Sequence, residues 1–337
     1  MLKKLSRKII FPTLFNFGAD KLFLKFSKPS YLSILYHGVI PFNGNYFSPR
    51  HITAEQFEKQ IVYFKKNFDI ISQSELFFRV KNNIKPDRHT IALSFDDGFK
   101  NNLDYALPIL EKHKVHCTFF ISTILFEEME IRCLWPDLIA ILNYFYADEI
   151  IEIDEFKFVN RYDNKNDIYI TDYLKAVSYD KRKEILSGLN TRYNLKEKVK
   201  EVPEELWKLM NLEEFRRLYK SEYVSIGAHS YLHYNLGQIE PEKARFELSY
   251  SKAMLESELN SNVNMHAFPD GNYNLQTIEI AEEVGYTEQY AVNYRFEEDK
   301  KDDRMLNRFS ISSTTTFESN ILRLNNQLLK SGNTRKN

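Results

Sequence analysis

The sequence predicts an α/β chain assembled from parallel βα units, and three observations carry that expectation. Seven short runs rich in β-branched and aromatic residues recur between residues 31 and 311. Helical patterns fit between several of them, which is the arrangement of either a barrel or an open doubly wound sheet. The unusual polar residues fall at the C-terminal ends of these runs, where parallel βα folds collect their chemistry.

Residues 1–30 form an amphipathic leading segment. "MLKKLSRKIIFPTLFNFGADKLFLKF" sets Lys3, Lys4, Arg7 and Lys8 beside Ile9, Ile10, Leu14, Phe15 and Phe17. Pro12, Asn16 and Asp20 interrupt it and no small-x-small site follows, so it makes a poor signal peptide. No stretch reaches the roughly 18 consecutive apolar residues of a spanning helix. Two readings stay open: peripheral association of residues 1–26 with an anionic membrane surface, or a helix packed on the domain.

"YLSILYHGV" (31–39), "HTIALSF" (89–95) and "KVHCTFFIS" (114–122) read as the first three strands. Residues 126–222 then break the rhythm. They are charged, rich in Tyr and Leu, and mostly helical in pattern. A structureless loop of that length is implausible, so an insertion between the third and fourth strands is expected, covering one end of the sheet. It serves either as a lid or as a structural subdomain. "EYVSIGAHS" (222–230), "VNMHAFP" (263–269), "YTEQYAV" (286–292) and "MLNRFSI" (305–311) supply four more strands. Between them, "PEKARFELSYSKAMLESEL" opens on Pro241 and repeats Ala244, Leu248, Leu255 and Leu259 on one helical face. A further helix has Asn274 as N-cap and Gly285 as its stop. The main domain is expected over residues 31–325, with 326–337 as a disordered tail.

The 337 residues carry 46 Lys+Arg against 47 Asp+Glu, a net charge of −1, which argues against a nucleic-acid partner. Hydrophobic residues make up 43%, with 26 Phe and 21 Tyr, enough for a sizeable core. Cys117 and Cys133 form no disulfide framework and no CxxC site; one bridge between them is conceivable, but unpaired thiols are expected, which favours a reducing compartment. The expected location is cytoplasmic, at the inner membrane if residues 1–26 dock there, with export left open. Oligomeric state is not legible.

His37 closes the first strand, Asp96 and Asp97 the second and His229 the fourth, while "FPDG" (268–271) ends the fifth. Each fragment alone has an ordinary explanation. "FDDG" is a common turn, and histidines four apart, as in "HSYLH", occur on many helices, where one turn puts both imidazoles on one side. "FPDG" fits a type I turn with Pro269 second and Gly271 fourth. Together they describe something more specific. One Asp and two His at one rim make a three-ligand divalent site with an open position. A second carboxylate beside it is what a hydrolase needs to take a proton from water.

"SFDDG", "HSYLH" and "FPDG", in this order on successive strands, resemble the polysaccharide deacetylase family (carbohydrate esterase family four) from about Tyr31 to Ile311, the insertion apart. "LWPD" (134–137) is similar to members with an enlarged middle segment. The resemblance implies a distorted (β/α)7-type barrel and metal-dependent removal of acetyl groups from GlcNAc-type sugars of a surface polysaccharide or its precursor. By position, Asp96 matches the general base, and Asp97, His229 and His233 match the metal ligands. Zn2+ is the expected cofactor, with Co2+ or Ni2+ as alternatives. Asp270 matches the residue whose backbone N–H helps hold the oxyanion; Pro269, Gly271 and Tyr273 are expected to contact the carbohydrate. Two departures stand out. No histidine follows His266, so the family's late acid is missing, and Ala267 replaces an arginine that contacts the base. "LYHGV" fits the branch that deacetylates poly-N-acetylglucosamine, and its His37 is expected to line the site as support or proton donor; the alternative is a hydrogen-bonded core histidine. His266 is expected to be structural. The competing functions are glycan O-deacetylation and a lapsed, sugar-binding relic.

Overall fold

The computed structural model describes residues 9–43 and 47–329. Lys3, Lys4, Arg7 and Lys8, and residues 330–337 of the expected tail, lie outside that range.

All seven expected strands form: β1 Tyr31–Tyr36, β2 Thr90–Phe95, β3 Cys117–Ile121, β4 Val224–Ala228, β5 Met265–Ala267, β6 Glu288–Ala291 and β7 Met305–Ser310. They are parallel and pair in sequence order. β7 returns to β1 through Ser33↔Arg308, and β1 pairs β2 along its whole length, so the sheet closes into a barrel. Every residue of β1 and β2 is buried. A parallel strand covered on both faces must read as a continuous apolar run, which is why the strands are visible in the sequence. The ring is uneven. β4 and β5 share one register pair, Ala228↔His266, and β5 stops after three residues at the "FP" step, where Pro269 has no N–H for a ladder. A short pairing of Asp69–Ile70 with the start of β2 was not expected.

Aromatic rings pack the outer face of these strands against the helix Ala54–Asn67, whose Phe57 lies 5.2 Å from Tyr36 and 5.5 Å from Phe95. Phe95 stacks on Phe119 with centroids 5.2 Å apart, and Tyr36 stacks on Phe95 at the same distance. On the opposite face Gly227 in β4 makes room for Phe120, because a Cβ would sit 2.5 Å from that ring.

The principal helices are α1 Phe11–Asn16, α2 Ala19–Phe26, α3 Ala54–Asn67, α4 Gln73–Lys81, α5 Leu107–His113, α6 Trp135–Tyr146, α7 Ile170–Ala176, α8 Tyr179–Tyr193, α9 Leu212–Tyr219, α10 Pro241–Leu259, α11 Leu275–Val284 and α12 Phe317–Leu329. α10 buries Ala244, Leu248 and Leu255 as expected, and also Glu247 and Ser251. Asn274 caps α11 in a box with Thr277, and Gly285 ends it at φ 103°. The expected tail boundary is corrected: residues 326–329 belong to α12, and Leu328 is buried.

α1 and α2 pack on α12. Phe15 sits edge-on to Phe317 at 5.5 Å, and buried Asp20 accepts the Tyr63 hydroxyl at 3.2 Å. The outward face exposes Leu14, Phe17, Leu22 and Phe26. Among the described residues, no helix is long and apolar enough to cross a membrane.

The 126–222 segment contains α6 to α9 with a buried core that includes Ile139, Leu142, Leu174 and Leu189. It also holds two unexpected antiparallel ribbons, Ile151–Ile153 with Phe156–Phe158 and Tyr162–Asp163 with Ile168–Tyr169. It docks on the rim where β2 ends, with Met210 N–H donating to Gly98 O at 3.1 Å. Cys117 and Cys133 are free and buried.

Candidate active site

β2 ends by reversing direction. Asp97 has φ 80° and Gly98 φ 90°, and the Gly98 N–H returns to Asp96 O at 3.1 Å. Two consecutive left-handed residues explain why Asp-Gly stands there: glycine adopts that region freely, and aspartate tolerates it better than most residues. The reversal parts the two carboxylates. Asp96 meets β7, whereas Asp97 meets the end of β4.

The expected helical turn over 229–233 is corrected. The segment is irregular, with Ser230 at φ 59° and His233 at φ 56°. The imidazoles still converge, with ring centroids 5.0 Å apart. Glu247 of α10 holds the loop by accepting the Tyr231 and Leu232 N–H groups at 3.0 and 2.8 Å. His229 Nδ1 lies 2.8 Å from Ala267 O. A carbonyl can only accept, so Nδ1 carries the proton and Nε2 is left free to ligate.

Asp97 Oδ1 lies 3.4 Å from His229 Nε2 and 3.2 Å from His233 Nε2, all three side chains being almost fully buried. Ligand bonds of about 2.0–2.2 Å to zinc place tetrahedral neighbours about 3.4 Å apart. Asp97 Oδ1 is buried without a hydrogen-bond partner. Spacing, donor types and that orphaned oxygen all fit a divalent cation. Burial by itself would push the Asp97 carboxyl up, but the two imidazoles outweigh it and hold it well below the usual range. His233 is raised in turn, because Asp97 overcomes the opposing effect of burial.

Glu247 behaves in the opposite sense: burial pushes its carboxyl from 4.5 up to about 7. Its protonated form is favoured in the native state, so its contribution to stability is complete below about pH 4.5 and is lost as pH rises through 7. In the metal-free protein, Glu247→Gln keeps an acceptor for both loop N–H groups and removes this titration. Denaturant unfolding is expected to show the variant more stable than wild type at pH 8 by about 3 kcal/mol, with little difference near pH 4.5. Equal stability at pH 8 would contradict that account.

The sequence reading missed Arg308. From β7 its guanidinium makes a bidentate pair with Asp96, Nη1–Oδ1 2.6 Å and Nη2–Oδ2 2.8 Å, and both residues are buried. It makes the contact to Asp96 that Ala267, with no polar side chain, cannot make. The available signal was a cation in the middle of an apolar strand, "MLNRFSI", which is tolerated only when paired. Asp96 Oδ2 also lies 3.9 Å from His229 Nε2, which puts the carboxylate beside the three-ligand cluster.

His37 is half-buried just past β1 and faces both aspartates electrostatically. Burial lowers its pKa, and Asp97 and Asp96 pull it partly back. The type I turn expected for "FPDG" is corrected, because Asp270 takes φ 54° where that turn requires about −90°. Pro269 and Gly271 are buried beneath the turn and only Asp270 is exposed, paired with Lys175 of α7 at 2.9 Å. Tyr273 is also corrected. It is 1% exposed, and its hydroxyl donates to Asp299 at 2.6 Å, so it supports the turn from below and does not face substrate. His266 is fully buried between Phe268 and Tyr286, a structural position.

The profile of the polysaccharide deacetylase family matches residues 83–150 and 186–289, just over half of the chain. YxkH of Bacillus subtilis strain 168, whose description as a polysaccharide deacetylase is itself provisional, is 19% identical over 266 residues. That alignment spans 78% of this chain and 65% of YxkH, just under two thirds of the relative's length. Two solved structures are similar in fold. The Streptococcus pyogenes deacetylase PplD, in complex with acetate, shares 18% identity at a TM-score of 0.56, covering 88% of this chain and 98% of its own. IcaB from Ammonifex degensii shares 14% at a TM-score of 0.57, covering 90% and 98%.

Proposed function

The chain belongs to the polysaccharide deacetylase family, and on that footing we propose that it hydrolyses acetamido groups on GlcNAc-type sugars of a surface polysaccharide or its precursor. The observation that carries this reading is the position of Asp96: beside the Asp97–His229–His233 cluster, but bound to Arg308 and outside the ligand set. A sugar-binding relic would have no use for a carboxylate held there by a buried guanidinium.

A divalent cation, zinc by preference for one carboxylate and two imidazoles, would supply Lewis acidity toward the acetyl carbonyl and the attacking water. The chain's own groups do the rest. Asp96 takes the proton of the attacking water as the new C–O bond forms. The Asp270 N–H, presented by the left-handed turn, faces the developing oxyanion, a contribution of roughly 3–4 kcal/mol in comparable sites. As the C–N bond breaks, the amine receives a proton. His37, set against both aspartates, is the group that passes it on.

The test is acetate release by the zinc- or cobalt-loaded protein from GlcNAc oligomers, nucleotide- and lipid-linked GlcNAc, and O-acetylated glycans. Release from N-acetyl substrates, lowered in His37→Ala, is the expected result. Release from O-acetyl substrates alone would replace this reading with the esterase one, and no release from any would favour the relic.

The same proposal places the enzyme at an anionic membrane surface, on the cytoplasmic side. In support, α1 and α2 expose Leu14, Phe17, Leu22 and Phe26 next to exposed Lys21, Lys25 and Lys28. Replacing Leu14, Phe17 and Phe26 by Ser spares the packed Phe15 and should abolish co-sedimentation with phosphatidylserine vesicles. Unchanged sedimentation, or none by wild type, would remove the membrane from the account.

A further inference from the structure

We infer that the 126–222 insertion is a working part of the metal centre: its Asp137, acting through Arg50, and its Trp135 fix two of the three ligands from outside the barrel. The inference rests on the metal reading of Asp97, His229 and His233.

The two oxygens of Asp97 face different neighbours. Oδ1 points at both imidazoles, while Oδ2 lies 3.5 Å from Arg50 Nη1. The other Arg50 terminus, Nη2, donates to Asp137 Oδ1 in the first turn of α6, and Asp137 is fully buried. Arg50 is locked further by its Nε contact to Ser48 Oγ at 3.4 Å and by its position 5.2 Å over the Phe99 ring. A guanidinium fixed at both ends holds Oδ2 and thereby presents Oδ1, a monodentate ligand with a set direction.

His233 is held from the same side. Its φ of 56° is costly for a residue with a side chain, so surrounding contacts must keep it there. Trp135 Nε1 donates to the His233 carbonyl at 3.0 Å. Arg182 of α8, fully buried, lies 4.0 Å over the Tyr234 ring and 5.2 Å over the Trp135 ring, joining the insertion to the residue that follows the ligand. A mere cover would touch the substrate groove and leave the ligands to the barrel. Here three insertion residues bear on them. Asp137 and Trp135 are therefore positioning residues, and they belong to "LWPD".

Asp137→Asn and Trp135→Phe, made in the full chain, test this by competition with a chromogenic chelator for Zn2+ and by the visible spectrum of the Co2+ form, with thermal unfolding as the control for folding. Each is expected to weaken metal affinity about 10–100-fold, and Asp137→Asn to alter the Co2+ spectrum. Affinities within twofold of wild type in both folded variants would overturn the inference. If Asp137→Asn does not fold, Trp135→Phe, which removes one N–H and keeps the aromatic bulk, decides alone. Failure of wild type itself to bind either ion would instead refute the metal reading on which this rests.

Discussion

Arg308→Met is expected to destabilise the protein by about 3–5 kcal/mol, the usual cost of leaving one member of a buried ion pair alone. Asp96 and Arg308 are both almost fully excluded from water, and each satisfies the other through two short bonds. Without the guanidinium, Asp96 loses its counter-charge in a medium that solvates it poorly. The carboxylate would also lose the two bonds that aim it at the site. Turnover should therefore fall together with stability. Denaturant unfolding of Arg308→Met, Asp96→Asn and the double variant forms a cycle that isolates the pair. The double variant should be more stable than the sum of the single losses predicts, because no buried charge is left unpaired. Strict additivity would show that the pair contributes nothing beyond its separate members.

Asp96→Asn should lower kcat by about 10²–10⁴-fold, the range expected when a general base is removed. Its affinity for Zn2+ should change far less, since the atoms that could hold the ion belong to Asp97, His229 and His233. Parallel measurement of acetate release and metal binding separates base from ligand. A variant that lost metal as readily as Asp97→Asn would place Asp96 in the ligand set, and one that kept its turnover would remove it from the chemistry.

The barrel was legible because a parallel strand buried on both faces must be written in Val, Ile, Leu and aromatics, and such runs as "TIALSF" and "CTFFI" have few other uses. Asp96, Asp97, His229 and His233 were legible because they interrupt those runs at the same end. What failed were matters of conformation and of partnership across the ring. The spacing of His229 and His233 suggested a helical turn, yet the backbone reaches the same convergence through two left-handed residues. Tyr273 lies next to the turn in sequence, but the course of the chain buries it. Arg308 stands far from Asp96 in sequence, and only closure of β7 onto β1 brings it beside β2. The ribbons of the insertion are too short to show a period-two pattern.

The single register pair between β4 and β5 gives the barrel a clasp. Ala228 and His266 are the one matched pair there, and the next link along the joint is the bond from His229 Nδ1 to Ala267 O. That side chain thus fastens the two ends of an otherwise continuous hoop while turning its other nitrogen toward the cation position. One imidazole therefore serves both the joint between β4 and β5 and the candidate cation site.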